Sequence, residues 1–206
     1  MPNKRFIRNK EQKIKIIFQS FASLVNKDGY EKLSTRRIAE TANISIGTIY
    51  YYFPGGKHAI ANGFFEYMVN QLFDLEMFKR IDLENLENFL FKYIENHLEN
   101  HRENFEIHRA IDQAILANQE VLLNHQEKIS FNIKKITKEL KDLGMYKDFP
   151  ESFVFQNFLL FFNLLEAIIH RHLYINPLFT KDEILVQFLV KFFLCLIQNG
   201  ILFPLS

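Results

Sequence analysis

From Ser45 to Phe53 the chain reads S-I-G-T-I-Y-Y-Y-F, so five hydroxyl-bearing side chains (Ser45, Thr48, Tyr50, Tyr51, Tyr52) fall within eight residues. If this stretch is helical, Ile49 and Phe53 lie four apart and share an inward face. Ile46, Gly47, Thr48 and the three tyrosines are then distributed around the rest of the circumference. Three consecutive tyrosines cannot all be buried. Amphipathic rings with hydroxyl tips suit a surface that touches phosphates and base edges, and Gly47 removes a side chain where a groove wall would approach. The chemistry expected here is recognition of a polyanion.

Histidine is the other residue type whose spacing invites chemistry. His97 and His101 lie four apart on one helical face, and His108 follows seven later. That spacing permits two metal ligands, but nothing nearby in sequence supplies a third, and no metal site is expected. Di-iron chemistry in a helical bundle needs Glu-x-x-His pairs, and none occurs. There is no Gly-rich phosphate loop and no Ser or Cys nucleophile in a recognisable setting. Neither catalysis nor a cofactor is expected.

The elements that must hold the tyrosines follow from the flanking residues. Ser34 is a candidate N-cap for a short helix with Ile38 and Ala39 on its apolar face, ending near Ala42. Asn43 stands where the chain must turn sharply, and Asn tolerates a left-handed backbone better than other non-Gly residues. Ser45 caps the next helix, about 46 to 53, which completes a helix-turn-helix. Upstream, Ile14, Ile17, Phe18, Phe21, Ala22 and Val25 recur at three-and-four spacing, and Gly29 closes that helix. Its apolar face is expected to pack on Ile38, Ile44, Ile49 and Phe53. Residues 1 to 60 hold eleven Lys and Arg against four Asp and Glu, whereas the remainder holds fourteen against twenty. A basic first quarter on a mildly acidic remainder points to a polyanionic partner for the first part only. Lys4, Arg5, Arg8 and Lys10 form either a solvated tail or an arm that contacts phosphate or the minor groove.

The run from Ser34 to Lys57 resembles the DNA-binding signature of the TetR/AcrR family of bacterial regulators. The matching residues are Ile38-Ala39, Ala42-Asn43-Ile44-Ser45, Gly47-Thr48-Ile49-Tyr50-Tyr51-Tyr52-Phe53 and Lys57. With the preceding helix and Gly29 the resemblance covers roughly residues 11 to 65. Asn43 stands where Gly is commoner, and Pro54-Gly55-Gly56 lengthens the loop before Lys57. The resemblance implies an all-α regulator with a DNA-binding domain over residues 1–56 and a helical effector-binding and dimerisation domain over 57–206. It implies a homodimer on a near-palindromic double-stranded DNA operator, most simply a repressor released by a small hydrophobic or aromatic effector. The alternative is a DNA-bound protein of the same fold controlled by a protein partner. Arg36 is then the candidate for a bidentate contact to guanine, and Ile46, Gly47 and Tyr50 meet base edges. Thr35, Ser45, Thr48, Tyr51, Tyr52 and Lys57 hold phosphates.

Beyond a long connecting helix over about 57 to 79, helical periodicity predicts helices near 83–101, 104–117, 119–143, 151–174 and 181–199. The last two are apolar around most of their circumference, as in a core helix or an obligate dimer interface. The resemblance favours the interface, with Phe158, Phe161, Leu165, Ile168, Phe188 and Phe192 as its candidates. Gln156, Asn163 and His170 recur every seven residues on the first of these helices and need polar partners, across a dimer, in an effector cavity or locally. With His97 and His101, Gln156 and Asn163 are the candidate polar lining of that cavity. The run Phe153 to Ile169 is interrupted by Gln156, Asn157, Asn163 and Glu166, short of the roughly 20 clean residues of a membrane span. The single cysteine, Cys195, is expected in the core, and its solitude fits a reducing compartment. A cytoplasmic protein without a membrane partner is expected.

Overall fold

A computed structural model describes residues 4–73, 75–79, 81 and 85–202. Among these described residues are ten α-helices: α1 Lys4–Asp28, α2 Thr35–Thr41, α3 Ile46–Tyr52, α4 Lys57–Leu72, α5 Leu75–Phe78, α6 Leu86–Glu103, α7 Phe105–Ala117, α8 Gln119–Asp142, α9 Glu151–His170 and α10 Asp182–Gln198. A π-helical turn, Arg171–Ile175, continues α9. Among the described residues there is no strand. The all-α expectation holds, and the helices from α6 onward fall within a few residues of the periodicity.

Differences appear at two ends of the first part. The backbone is helical from Lys4, so Lys4, Arg5, Arg8 and Lys10 do not form an irregular tail, and Met1 to Asn3 lie outside the described residues. The connecting helix stops at Leu72, short of the expected 79, and the single turn α5 follows.

The described residues form two compact units, one of residues 1–71 and 104–128 and the other of 72–103 and 129–206. The boundary expected at residue 56 lies inside the first unit. In that unit Ile17, Phe18, Phe21 and Val25 of α1 bury against Ile38, Ile49 and Phe53, as their spacing predicts. Phe64 of α4 completes this centre, its ring 5.1 Å from Phe18 and 5.5 Å from Phe21. Gly63 is required one residue earlier, because a Cβ there would lie 2.9 Å from the Phe53 ring. Ala110, Ile111 and Ala114 of α7, with Val121 of α8, close the same core. Small alanines there let α7 lie close against α1.

The second unit packs Leu90, Tyr93, Ile94 and Leu98 of α6 with Phe158, Phe161, Phe162 and Leu165 of α9 and Leu185, Leu189 and Phe193 of α10, all buried. The Phe161 and Phe193 rings lie 4.4 Å apart. By length and composition alone the 25-residue segment Glu151–Ile175 could cross a membrane. Its buried residues Val154, Phe158, Phe161, Leu165 and Ile169 line one side, and its Glu166 meets α6 histidines, as expected of a core helix.

Phe64→Ala removes a ring without measurable exposure from the first unit's centre. Urea unfolding should show a loss of about 3–5 kcal/mol, because the rigid surrounding rings cannot collapse into the void.

Candidate nucleic-acid interface

Each part of the helix-turn-helix is set by a local bond. Ser34 is the N-cap of α2, its hydroxyl accepting the Arg37 N–H, and Ser45 caps α3 by accepting the Thr48 N–H at 3.0 Å. The Ser45 and Thr48 hydroxyls lie 2.9 Å apart. Caps of this kind contribute about 1 kcal/mol each, a large share for helices of seven residues. Asn43 adopts φ 52°, the left-handed turn its type predicts. Ile49 is fully buried, which fixes the rotation of α3 about its axis.

That rotation presents the expected face. Tyr50 and Tyr51 are 48% and 72% exposed, Ile46, Gly47 and Ser45 are exposed, and Thr48 and Tyr52 are half-buried. The Tyr51 and Tyr52 rings meet edge to face at 5.0 Å, which limits their freedom at the surface. A Cβ on Gly47 would meet nothing closer than the Ser45 hydroxyl at 3.7 Å, so its glycine is not demanded by the fold. Arg36 has its side chain 81% exposed and is paired with Glu40, itself exposed, at 3.2 Å. A pair this wet contributes at most about 0.5 kcal/mol, so the guanidinium is easily redirected to a base or phosphate. Arg37, by contrast, is committed to Asp28 and to the Lys32 carbonyl, and its hydrogen bond holds the Asp28 carboxyl below its ordinary value.

Thr35 and Lys57 meet through the loop between α3 and α4. Gly56 has φ 63°, and a Cβ there would lie 2.6 Å from the Thr35 hydroxyl. The close approach lets Thr35 Oγ1 accept the Lys57 backbone N–H at 3.1 Å, while its own proton stays available to a phosphate oxygen. The Lys57 ammonium turns back: it lies 3.4 Å from the Tyr30 carbonyl and 4.7 Å above the Tyr30 ring. Burial beneath it pushes the Tyr30 phenol up to about 12, and that phenol lies 3.1 Å from Nδ1 of His58. The lengthened Pro54-Gly55-Gly56 loop therefore leaves Lys57 holding Tyr30, and a phosphate contact from Lys57 requires that this hold be released.

The other candidates divide. His97 and His101 are buried together beside Glu166 and His170, whereas Gln156 and Asn163 are exposed on α9. Burial, against the pull of Glu166, lowers the His97 imidazole below its ordinary value. Burial pushes the Glu166 carboxyl up, but His97, His101 and His170 together hold it well below the usual carboxylate range. The third acidic or imidazole partner that spacing did not supply comes from 69 residues away. Of the residues expected at a dimer surface, Phe158, Phe161 and Leu165 are buried within the second unit. Phe188 is 45% exposed, and Ile168 and Phe192 are half-buried. Cys195 is likewise exposed, because it falls on the outward side of α10 with Ile184, Phe188 and Lys191.

Residues 21–62 match the model of the bacterial regulatory proteins of the tetR family. Over 52 residues the chain is 35% identical to the HTH-type transcriptional repressor KstR of Rhodococcus jostii, a match covering 25% of this chain and 24% of KstR. KstR of Mycolicibacterium smegmatis is 35% identical over 48 residues, again 24% of its length. The chain thus spans about a quarter of the curated relatives it matches. Among solved structures, a TetR-family transcriptional regulator from Syntrophomonas wolfei superposes with a TM-score of 0.71 at 14% identity, covering 91% of this chain and 95% of that one. The fatty acid degradation regulator FadR of Bacillus halodurans gives 0.67 at 17% identity, covering 88% and 94%. Together with the helix-turn-helix geometry, residues 21–62 are similar to the DNA-binding head of the tetR family of bacterial regulatory proteins, and the chain as a whole has the all-helical fold of the TetR-family regulators it superposes on.

Proposed function

We propose that the chain is a homodimeric transcriptional regulator, acting as a repressor on a near-palindromic operator and released by a small hydrophobic effector. The observation that carries this is the outward face of α3, where Ile46, Gly47, Tyr50 and Tyr51 stand exposed over a buried Ile49. Repression is supported by the repressors whose heads resemble this one. Residues 1–56 are the DNA-binding domain and 57–206 the effector and dimer domain. Arg36, Ile46, Gly47 and Tyr50 read base edges, and Thr35, Ser45, Thr48, Tyr51, Tyr52 and Lys57 hold phosphates. Two heads related by a twofold axis would enter grooves about one helical turn, roughly 34–36 Å, apart. Such a regulator works in the cytoplasm and catalyses nothing.

The homodimer is supported by what remains outside once the core residues are removed. On α9, Phe153, Gln156, Leu160 and Asn163 form an exposed stripe at helical spacing, and on α10 Ile184 and Phe188 do the same. Four large exposed apolar side chains on these two helices suit a symmetric four-helix contact, with Ile168 and Phe192 at its edge and Gln156 and Asn163 supplying polar bonds across it. An effector would bind among the body helices and favour a subunit arrangement whose heads miss the operator spacing.

Three outcomes check this. In gel-shift titrations Tyr50→Ala and Arg36→Ala should each lose about 1–3 kcal/mol of specific binding and relax sequence preference. Lys57→Ala should cost less, since its ammonium must first leave Tyr30. Sedimentation should give a dimer for the natural chain and a monomer for the Leu160→Glu, Phe188→Glu double variant. A monomeric natural chain at micromolar concentration contradicts the dimer.

A further inference from the structure

Four side chains that DNA recognition does not use converge inside the second unit. His97 and His101 stand one turn apart on α6, and Glu166 and His170 one turn apart on α9. The Glu166 carboxylate lies among all three imidazoles. Its Oε1 makes a very short contact with His97 Nε2, and its Oε2 is 2.8 Å from His170 Nε2 and 3.4 Å from His101 Nε2. The ring nitrogens His101 Nε2 and His170 Nε2 face each other at 3.1 Å. The His97 and His101 side chains are 2% and 0% exposed.

The protons in this cluster are constrained. His101 Nδ1 lies 2.9 Å from the His97 carbonyl, which can only accept, so Nδ1 carries the proton. In the neutral ring Nε2 then presents a lone pair toward Glu166 and His170. Fixing an imidazole tautomer through a backbone carbonyl is the outer-shell device that orients metal-binding histidines. In the metal-free cluster the facing nitrogens of His101 and His170 share one proton, and His97 and His170 pair with the Glu166 carboxylate, so all four side chains converge on one point. A cation satisfies them together.

We propose that His97, His101 and Glu166, with His170 as the fourth ligand, bind one divalent transition-metal ion of the zinc type. The donor atoms of the first three lie within 4.8 Å of one another. Metal bonds of ~2.0–2.2 Å in a tetrahedron place ligand atoms about 3.3 Å apart, near the 3.1 Å and 3.4 Å separations of His101 from His170 and Glu166. The carboxylate contacts with His97 and His170 are shorter, and a retreat of Glu166 by under about 1 Å opens the centre. Three imidazoles and one carboxylate favour Zn(II), Co(II) or Ni(II) over Mg(II) and Ca(II), which prefer oxygen ligands. A bound ion would tie α6 to α9 across 69 residues of sequence. The site deepens the reading of His97 and His101 as effector-facing groups, and it rests on that reading only for the ion's role as signal.

Full-length protein stripped of metal and titrated with Co(II), without DNA, tests the site. One Co(II) per subunit should bind with the intense visible absorption of a four- or five-coordinate ion, yield to Zn(II) and ignore excess Mg(II). Glu166→Gln and His170→Ala should each weaken Co(II) at least ~10-fold with unchanged helical circular dichroism. His125→Ala, whose ring packs on Phe65 in the first unit, should bind as the natural chain does. Should Glu166→Gln fail to fold, the partly exposed His170 decides. Absence of Co(II) absorption in the natural chain, or undiminished binding by the folded variants, overturns the proposal. Neither result bears on DNA binding, so a failed metal site and a failed regulator are told apart.

Discussion

A helix of seven residues does not persist in water on its own, because nucleation costs more than one or two turns return. α3 therefore exists by virtue of Ile49 beneath it and Ser45 in front of it. Ile49 also sets the phase: a rotation by one residue, about 100°, would bury Tyr50 and expose an isoleucine. The rings of Phe18, Phe21, Phe53 and Phe64 form the surface on which that phase is fixed. The outward presentation of Tyr50 and Tyr51 thus depends on an apolar centre against which Tyr52 itself packs.

The same division of labour recurs in the second unit. Its core is apolar and aromatic, built from α6, α9 and α10, and at one place on the α6 and α9 faces it encloses a carboxylate with three imidazoles. Burying such groups costs free energy unless each has partners, so the cluster is either satisfied internally or by something that enters it. A protein that needed only a stable bundle would be served as well by leucines at these positions. On the outside, Phe153 and Leu160 of α9 and Ile184 and Phe188 of α10 are exposed apolar side chains.

Local signals were legible in the sequence wherever one turn of chain contains both partners. Ser34, Asn43 and Ser45 announced two caps and a left-handed turn, and the spacing of Ile17, Phe21 and Val25 announced the face that α1 buries. What depended on distant chain was not legible. Nothing near His97 points to Glu166, and nothing in α7 announces that its alanines pack on α1. The apolar circumference of α9 gave no basis for separating Phe161, which faces its own core, from Leu160, which does not. The contact of Lys57 with Tyr30 was not legible either, because it depends on Gly56 drawing the loop onto Thr35.

The central claim is that the exposed face of α3 reads duplex DNA and a twofold-related copy reads it again. Selection of bound duplexes from a random pool, followed by titration of the enriched site at increasing salt, tests it most directly. The account predicts an inverted repeat whose half-sites lie about one turn apart and an affinity that falls steeply and linearly in log–log form as phosphate counterions are released. A pool that emerges without a shared sequence, or binding indifferent to salt, would contradict it.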